Sequence, residues 1–173
     1  MDIYDYNRYI TLFEPHFAVS PCEDVSEGTG KKKKRRAYGG SVRFLDSLCN
    51  LRVAQLKKLG ADAPPPPTQL LAPVVIDVNK PHLNRLYAVA KRHTALIGGF
   101  CVMGVNALES EERRIILYSL FTNIDKTKAR VLHGDGDPLH VLDGVLNGLD
   151  LFESSFPLAA AARFEALDLV IPL

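Results

Sequence analysis

Residues 129–157, ARVLHGDGDPLHVLDGVLNGLDLFESSFP, contain one complete unit of the predicted fold. The apolar run ARVLH is followed by a glycine-rich loop, and Pro138 then stands at the first position of a helical segment that ends at Gly148. A second apolar run, LDLFES, comes directly after this glycine. The stretch therefore predicts a strand, a helix and a parallel strand, which is the repeating unit of α/β folds.

The same alternation of strand and helix extends over the rest of the chain. Helices are predicted at about 2–14, 41–59, 82–93, 110–124 and 138–148, and strands at about 17–19, 73–78, 94–103, 129–134 and 149–154. Ser110 is the predicted N-cap of its helix. Near-continuous apolar strands are typical of a parallel sheet covered on both faces. Because an eight-unit barrel needs about 250 residues, 173 residues predict either a small doubly wound sheet or a partial (β/α)8 barrel.

Two segments interrupt this pattern. Residues 23–40 combine glycine, serine and the six consecutive cations Lys31 to Arg36, and they predict a basic disordered insertion because like charges repel and stay solvated. Contact with nucleic-acid phosphates and a nuclear address are the alternative interpretations of these cations. Residues 61–68 form a proline-rich connection, which consecutive prolines hold extended.

The composition limits the classes of function. The chain has 21 basic and 20 acidic residues and a net charge of +1, so its overall charge gives no strong attraction to nucleic acid. Three cysteines far apart in the sequence argue against a disulfide framework and for a reducing compartment. No apolar run approaches the roughly 18 residues of a membrane span. These features predict one cytoplasmic domain without an integral membrane segment.

Ligands of parallel α/β folds gather at the carboxyl ends of the strands. The predicted ends are 77–80, 98–100, 133–137 and 152–155, and their candidate binding residues are Gly98, Gly99, Gly134 and Gly136. A bulge or tight bend is the alternative explanation of Gly98 and Gly99. The loop at 134–137 either holds an anion or caps the next helix.

Titratable side chains near these ends give a weaker signal. His133 has no carboxylate or cysteine partner at a fixed spacing, and His140 lies inside the helix that starts near Pro138. A metal-ligating or catalytic role is therefore not favoured for either histidine. Asp46, Asp143 and Asp150 are interpreted as helix-surface or strand-start residues. The sequence predicts no metal site in this chain.

Three segments carry a resemblance to a known family. Residues 133–157 resemble the segment GxGxPxxLxxxIxxGxDxFDCxxP of the tRNA-guanine transglycosylases, or queuine tRNA-ribosyltransferases, which exchange guanine for queuine or a precursor base at the tRNA wobble position. SVRFLDSLC, at 41–49, is similar to a helix that reads RxxRWLDRC in catalytic members, and LIGGF, at 96–100, matches the Gly-Gly strand that contacts the base. The resemblance implies a partial TIM barrel of the transglycosylase type and identifies the chain as a truncated family member.

Several positions depart from the catalytic pattern. The residue after Phe152 is the aspartate nucleophile in catalytic members, and here it is Glu153, whose carboxylate is displaced by about a bond length. The arginines of the family's TRxxR segment, which serve tRNA binding and site order, are replaced by residues 158–162, LAAAA, with Arg163 one place later. The VQGG strand end is replaced by residues 78–81, VNKP, and the base-reading aspartate aligns loosely with Cys22.

These departures resemble the non-catalytic accessory members of the family. The resemblance implies no catalytic residue in this chain, a heterodimer with a catalytic queuine tRNA-ribosyltransferase subunit, and tRNA as a further partner. It also implies a cytoplasmic location, with peripheral association with the mitochondrial outer membrane. Zinc is expected only in full-length members, which carry a cysteine-rich segment that this sequence lacks. An active transglycosylase with Glu153 as nucleophile and an unrelated α/β ligand-binding domain are the alternatives.

Overall fold

The computed structural model of the protein describes residues 2–23, 30–60, 64, 66–75, 80–105, 108–134 and 136–166. Within these ranges, helices and strands alternate along the chain. The elements are α1 (Ile3–Phe13), β1 (Phe17–Val19), α2 (Lys31–Leu59), β2 (Gln69–Val75), α3 (Lys80–Arg92), β3 (Ile97–Met103), α4 (Ser110–Phe121), β4 (Ala129–His133), α5 (Pro138–Leu146), β5 (Leu151–Phe152) and α6 (Phe156–Ala162).

The strand order decides between the two predicted architectures. Every strand is parallel to its neighbours, and the order across the sheet is the order along the chain, β1-β2-β3-β4-β5. A doubly wound sheet reverses its strand order at a switch point, whereas a barrel adds each new strand on the same side. The described sheet has no reversal. The fold is therefore a partial (β/α)8 barrel, as predicted, and the doubly wound alternative is wrong.

The hydrophobic core lies between the sheet and the helices that cover one of its faces. Phe100 and Val102 of β3 belong to this core, and the ring of Phe100 meets the ring of Tyr87 on α3 edge to face, with 6.0 Å between centroids. Because strand side chains alternate, Cys101 and Met103 lie on the opposite face, which lines the interior of a closed barrel. Cys101 is nevertheless almost fully buried.

Helix α2 begins ten residues before the predicted start at Ser41. The predicted disordered insertion over 23–40 is therefore wrong for residues 31–40, while residues 24–29 lie outside the described part of the chain. Ala37 and Tyr38 are buried, and their packing extends the helix toward its amino terminus despite the adjacent cations. Of the proline-rich connection, residues 61–63 and 65 lie outside the described ranges.

The described helix starts differ in whether a side chain caps them. The Asp2 side chain accepts a hydrogen bond from the backbone N–H of Asp5 at 2.8 Å and so caps α1. The prediction that Ser110 caps α4 is wrong, because Glu109 occupies the N-cap position without a side-chain hydrogen bond. The Ser110 hydroxyl instead donates to Asp143 on α5 at 3.4 Å. Helix α6, which follows β5, was not predicted from the sequence.

The three aspartates assigned structural roles have structural partners. Asp46 Oδ1 on α2 lies 3.1 Å from His93 Nε2 at the end of α3. Asp143 Oδ2 on α5 accepts from Arg113 Nη1 on α4 at 2.8 Å, and Arg113 is buried. Asp150 Oδ2 accepts from a backbone N–H of β4 at 2.9 Å. Each aspartate therefore connects two elements of the barrel.

Apolar side chains remain exposed on two neighbouring helices. They are Ile115, Tyr118, Leu139, Leu142, Val145 and Leu146. Tyr118 is 77% exposed and Leu146 is 86% exposed, so the outer faces of α4 and α5 carry apolar surface. Among the described helices, none is both long and apolar enough to cross a membrane.

Candidate functional site

The carboxyl ends of β3, β4 and β5 meet along one rim of the sheet. Met103 is the register partner of His133, and the backbone N–H of Glu153 donates to the carbonyl of Leu132 at 2.9 Å, which aligns β5 with β4. His133 and Glu153 therefore leave neighbouring parallel strands at the same level. The two residues are twenty positions apart in the sequence, and the register of β4 and β5 brings them together.

The side chains of His133 and Glu153 are hydrogen-bonded to each other. His133 Nδ1 contacts Glu153 Oε2, and the two side chains are 50% and 62% exposed. An ionised carboxylate can only accept, so Nδ1 is the donor in this contact. No carboxylate partner at a fixed spacing was visible for His133 in the sequence, and the pairing of β4 with β5 supplies one. The signal that could have found the pair is that two neighbouring apolar strands end in a polar residue, VLH at 131–133 and LFE at 151–153.

The loop after β4 packs closely on the end of β5. Gly134 has φ 146° and Gly136 has φ 51°, backbone conformations that favour glycine. A Cβ at Gly136 would lie 2.9 Å from the Glu153 carbonyl oxygen, and the Ser154 hydroxyl donates to the Gly136 carbonyl at 2.8 Å. The backbone conformations and the close packing explain structurally why glycine stands at these two positions. Binding of substrate by them stays a prediction.

The same loop caps the next helix. Asp137 Oδ1 accepts from the backbone N–H of His140 at 2.8 Å, and Asp137 Oδ2 lies 2.8 Å from His140 Nδ1. Capping, the favoured alternative to anion binding, is thus confirmed for Asp137. Its carboxylate accepts from a backbone N–H group to which a bound anion would otherwise bond. Asp135 lies outside the described residues.

The Gly98-Gly99 pair lies at the opposite end of its strand from the rim. Strand β3 runs from Ile97 to Met103, so the assignment of these glycines to a carboxyl strand end is wrong. A Cβ at Gly98 would lie 2.5 Å from the Gln69 Cβ, beside a register irregularity in β2, and a Cβ at Gly99 would lie 2.3 Å from the Ala129 carbonyl oxygen. The alternative explanation, a bulge or tight approach, therefore accounts for both glycines, and their contact with a base stays an untested prediction.

Cys22 lies at the same rim as His133 and Glu153. Its Sγ atom is 3.2 Å from Met103 Sδ at the carboxyl end of β3. Burial raises the pKa of the Cys101 thiol to about 12, with smaller contributions from the charges of Cys22 and Glu153. A thiol therefore occupies the part of the rim that the resemblance gives to a base-reading aspartate. Of residues 78–81, Val78 and Asn79 lie outside the described ranges.

The replacement for the family's arginine segment is helix α6. It carries an alanine-rich surface, and Arg163 immediately follows it at the C-cap. Arg163 makes a two-point contact with Glu165, from Nε to Oε1 at 2.8 Å and from Nη2 to Oε2 at 2.7 Å. The guanidinium in this described segment is thus already paired with a carboxylate.

The described residues do not fit a zinc ion. No group of three or more His, Cys, Asp or Glu side chains within the described ranges is arranged to hold a metal. Burial raises the pKa of the Cys49 thiol to about 12, as it does for Cys101, which disfavours the thiolate form that zinc requires.

A cavity lies at the other end of the barrel from the rim. It has a volume of about 480 Å³ and lies beside Thr68, which precedes β2. The buried Arg52 guanidinium at its wall donates to Asn7 Oδ1 and to the Thr68 carbonyl, both at 3.4 Å. Desolvation lowers the pKa of Arg52. This cavity is separated from the rim by the length of β2.

Comparison with known proteins identifies the family. A family model described as queuine tRNA-ribosyltransferase matches residues 3–168 of the chain. The chain belongs to this family. It is 33% identical over 157 residues to a queuine tRNA-ribosyltransferase accessory subunit 2 from Gallus gallus, with 86% of this chain and 33% of the relative covered.

Two further queuine tRNA-ribosyltransferase relatives agree with this assignment. The human accessory subunit 2 is 29% identical over 150 residues, covering 82% of this chain and 32% of the relative. A queuine tRNA-ribosyltransferase-like protein of Plasmodium falciparum is 25% identical over 169 residues, covering 95% of this chain and 39% of the relative. The chain thus spans 32% to 39% of the length of these relatives.

Proposed function

We propose that this chain is a non-catalytic, accessory-type member of the queuine tRNA-ribosyltransferase family. In this proposal it forms a heterodimer with a catalytic subunit and supports the exchange of guanine for queuine at the wobble position of tRNA. A cytoplasmic location, with peripheral association with the mitochondrial outer membrane, belongs to the same proposal. The relatives named accessory subunit 2 support the accessory assignment.

The observation that carries the proposal is the pairing of Glu153 with His133. A carboxylate nucleophile must reach the anomeric carbon of a ribose, and a misplacement of about 1 Å can lower the rate on the order of 10²-fold. The longer side chain of Glu153 is instead directed to a histidine at the end of the neighbouring strand, β4. The carboxylate therefore starts from a bound position, and attack would first require breaking that contact.

The surroundings of Glu153 support the same conclusion. Developing charge at a ribose centre needs fixed partners, and an extended RNA substrate needs cations that contact its phosphates. The segment after β5 supplies an alanine-rich helix and the Arg163–Glu165 pair. This part of the rim therefore lacks the unpaired cations that catalytic members are expected to carry there for tRNA binding.

Zinc has no role in the proposed action of this chain. The described cysteines belong to no metal-binding group, and the buried Cys49 and Cys101 thiols hold their protons strongly. A structural zinc in longer members of the family remains a prediction about those members. No step of the proposed function passes through a metal bound by the described residues.

The test is base exchange with purified components. Labelled guanine incorporation into tRNA would be measured with this chain alone, with a catalytic subunit alone and with both. We expect no exchange above background for the chain alone and a several-fold increase when it is added to the catalytic subunit. Robust exchange by the chain alone would sink the proposal.

A second candidate function is an active transglycosylase that uses Glu153. It is favoured by one observation, the location of a carboxylate at the carboxyl end of β5, where barrel enzymes place catalytic groups. This candidate predicts a covalent tRNA–protein adduct on denaturing gels that the Glu153→Gln variant cannot form. The absence of any adduct with the unaltered chain excludes it.

A further inference from the structure

The first two turns of α2 contain six consecutive cations, Lys31 to Arg36. The helix has no acidic residue in its first turn, and its N-cap, Gly30, provides no side-chain hydrogen bond. Cations at the amino end of a helix oppose the helix dipole and repel one another. An isolated sequence of this kind would not be expected to start a helix, so the buried residues that follow must hold this end in place.

Contacts at the next turn fix where these cations lie. Tyr38 and Ser41 line a small crevice together with Val74 and Val75, the last two residues of β2. Ala37 is the first buried residue of α2. The turn that follows the six cations therefore lies level with the carboxyl end of β2, and the cations lie beyond that end. At 1.5 Å per residue, they extend about 9 Å beyond it.

The cationic turns are on the same rim as the His133–Glu153 pair. Val75 is the register partner of Met103, and Met103 is the register partner of His133. Strands are spaced about 4.8 Å apart, so the ends of β2 and β5 are separated by about 14 Å along the rim. A single RNA segment can contact both places.

We propose that the cationic turns of α2, Lys31 to Arg36, bind the phosphate backbone of RNA. Five of the six side chains are exposed, and successive helical residues direct them around the helix axis, so they form a cationic knob rather than one flat face. Phosphates neutralise the repulsion within the knob and interact favourably with the positive end of the helix dipole. Such contacts position an RNA without reading its sequence.

The location of the knob favours RNA over an import receptor. A nuclear address needs an extended accessible peptide, whereas these cations are part of a helix whose next turn is packed against the sheet. The knob also stands beside the rim to which the proposed function assigns tRNA, and the choice of tRNA as the RNA rests on that proposed function. The cationic knob then anchors the tRNA backbone while the catalytic subunit acts on the base.

Salt-dependent binding of a tRNA transcript tests the proposal. Fluorescence anisotropy would be measured at low and at near-physiological KCl concentrations for the unaltered chain and for Lys31→Gln/Lys32→Gln/Lys33→Gln. Because each neutralised phosphate contributes about 0.7 to 0.9 to the slope of log K against log salt, we expect the slope to fall by about 2. The affinity at low salt should fall by about 10-fold or more.

The matched control removes three cations from the carboxyl ends of α2 and α3, at the opposite end of these helices. Lys57 and Lys58 lie in the last turn of α2, and Lys91 lies in the last turn of α3. The variant Lys57→Gln/Lys58→Gln/Lys91→Gln has the same net charge as the test variant and should keep the original slope. Equal losses in both variants, or an unchanged slope in the test variant, would overturn the proposal. Circular dichroism checks that each variant keeps its fold.

Two further outcomes separate this proposal from its alternatives. If the test variant keeps its tRNA affinity but loses binding to a purified import receptor, the RNA assignment is wrong. If the variant loses tRNA binding while the unaltered chain gives no stimulation of a catalytic subunit, the cationic site stands and the accessory function fails. A third variant has all six cations changed to glutamine. If it still stimulates the catalytic subunit and its tRNA binding keeps the original salt dependence, the cationic site is wrong and the accessory function is unaffected.

Discussion

Glu153 accepts a hydrogen bond from His133 across the carboxyl ends of β5 and β4. The pairing follows from parallel register, because the backbone N–H of Glu153 donates to the residue before His133. Both side chains are about half exposed or more, so the contact is a surface interaction of modest strength. Its importance is positional: the carboxylate at the end of β5 is turned toward its neighbour.

Replacement of Gly99 by alanine should destabilise the protein through packing. The added Cβ would lie 2.3 Å from the Ala129 carbonyl oxygen, and this oxygen belongs to the backbone of β4 and cannot move away cheaply. We expect a loss of about 1–3 kcal/mol in the free energy of unfolding, as for other overpacked sites. Urea unfolding measures it. Gly40→Ala, where no atom lies within 4 Å, is the control, and an equal loss in both variants would contradict a packing role.

Replacement of Gly40 by alanine should stabilise the protein if α2 begins at Lys31. Gly40 lies inside the helix, and no atom lies within 4 Å of the position that the alanine methyl group would take. Alanine then contributes about 1 kcal/mol relative to glycine. Gly60→Ala has equal space but a backbone φ of +100° and should destabilise instead. A neutral result at Gly40 in thermal unfolding would favour a loop at this position.

The buried guanidinium of Arg113 should contribute strongly to stability. It donates to Asp143 at 2.8 Å and to the carbonyls of Val105 and Leu108 at 3.2 and 2.9 Å, so it joins α4, α5 and the loop before α4. Arg113→Met removes all three hydrogen bonds and leaves the Asp143 carboxylate without its cation, so it should cost about 3 kcal/mol. The neighbouring Arg114→Met, which removes an exposed contact, should have no measurable effect. Similar effects of the two changes in urea unfolding would refute this assignment.

The two buried thiols predict a loss of stability at alkaline pH. Burial raises the pKa of Cys49 and of Cys101 from 9.0 to about 12 in the folded protein. Both groups therefore stabilise the folded state fully below pH 9, and this contribution declines as the pH rises from 9 toward 12, because the unfolded thiols ionise first.

Urea titrations across the alkaline range, from just below the ordinary thiol pKa upward, measure this decline. The double variant Cys49→Ala/Cys101→Ala is the control and should show a smaller decline with pH, whatever its absolute stability. Identical pH profiles for the variant and the unaltered chain would contradict the role of these thiols.

The sequence predicted the order of the elements well, because hydrophobic periodicity and the caps at Pro138 and Gly148 are local signals. It failed at Lys31, since charge repulsion is local whereas the packing of Ala37 and Tyr38 that extends α2 is tertiary. It also placed Gly98 and Gly99 at the wrong end of β3, because a continuous apolar run does not mark where a strand stops.

The candidate site was predicted in its location but not in its contacts. Glu153 was expected at the rim from its position after β5, and the structure has it there. The hydrogen bond to His133 was missed because it depends on the register of two strands, which single-sequence patterns do not specify. The neighbourhood of Cys22 and Met103 likewise depends on the pairing of strands distant in sequence.

Base exchange by a complex that contains the Glu153→Gln variant tests the central claim most directly. The unaltered chain and the variant would each be combined with the same catalytic subunit, and guanine incorporation into tRNA would be compared at saturating tRNA. The accessory role predicts equal rates within about twofold, because Glu153 contacts His133 and not the reacting ribose. A loss of activity on the order of 10²-fold with an intact complex would contradict it and make Glu153 a catalytic residue.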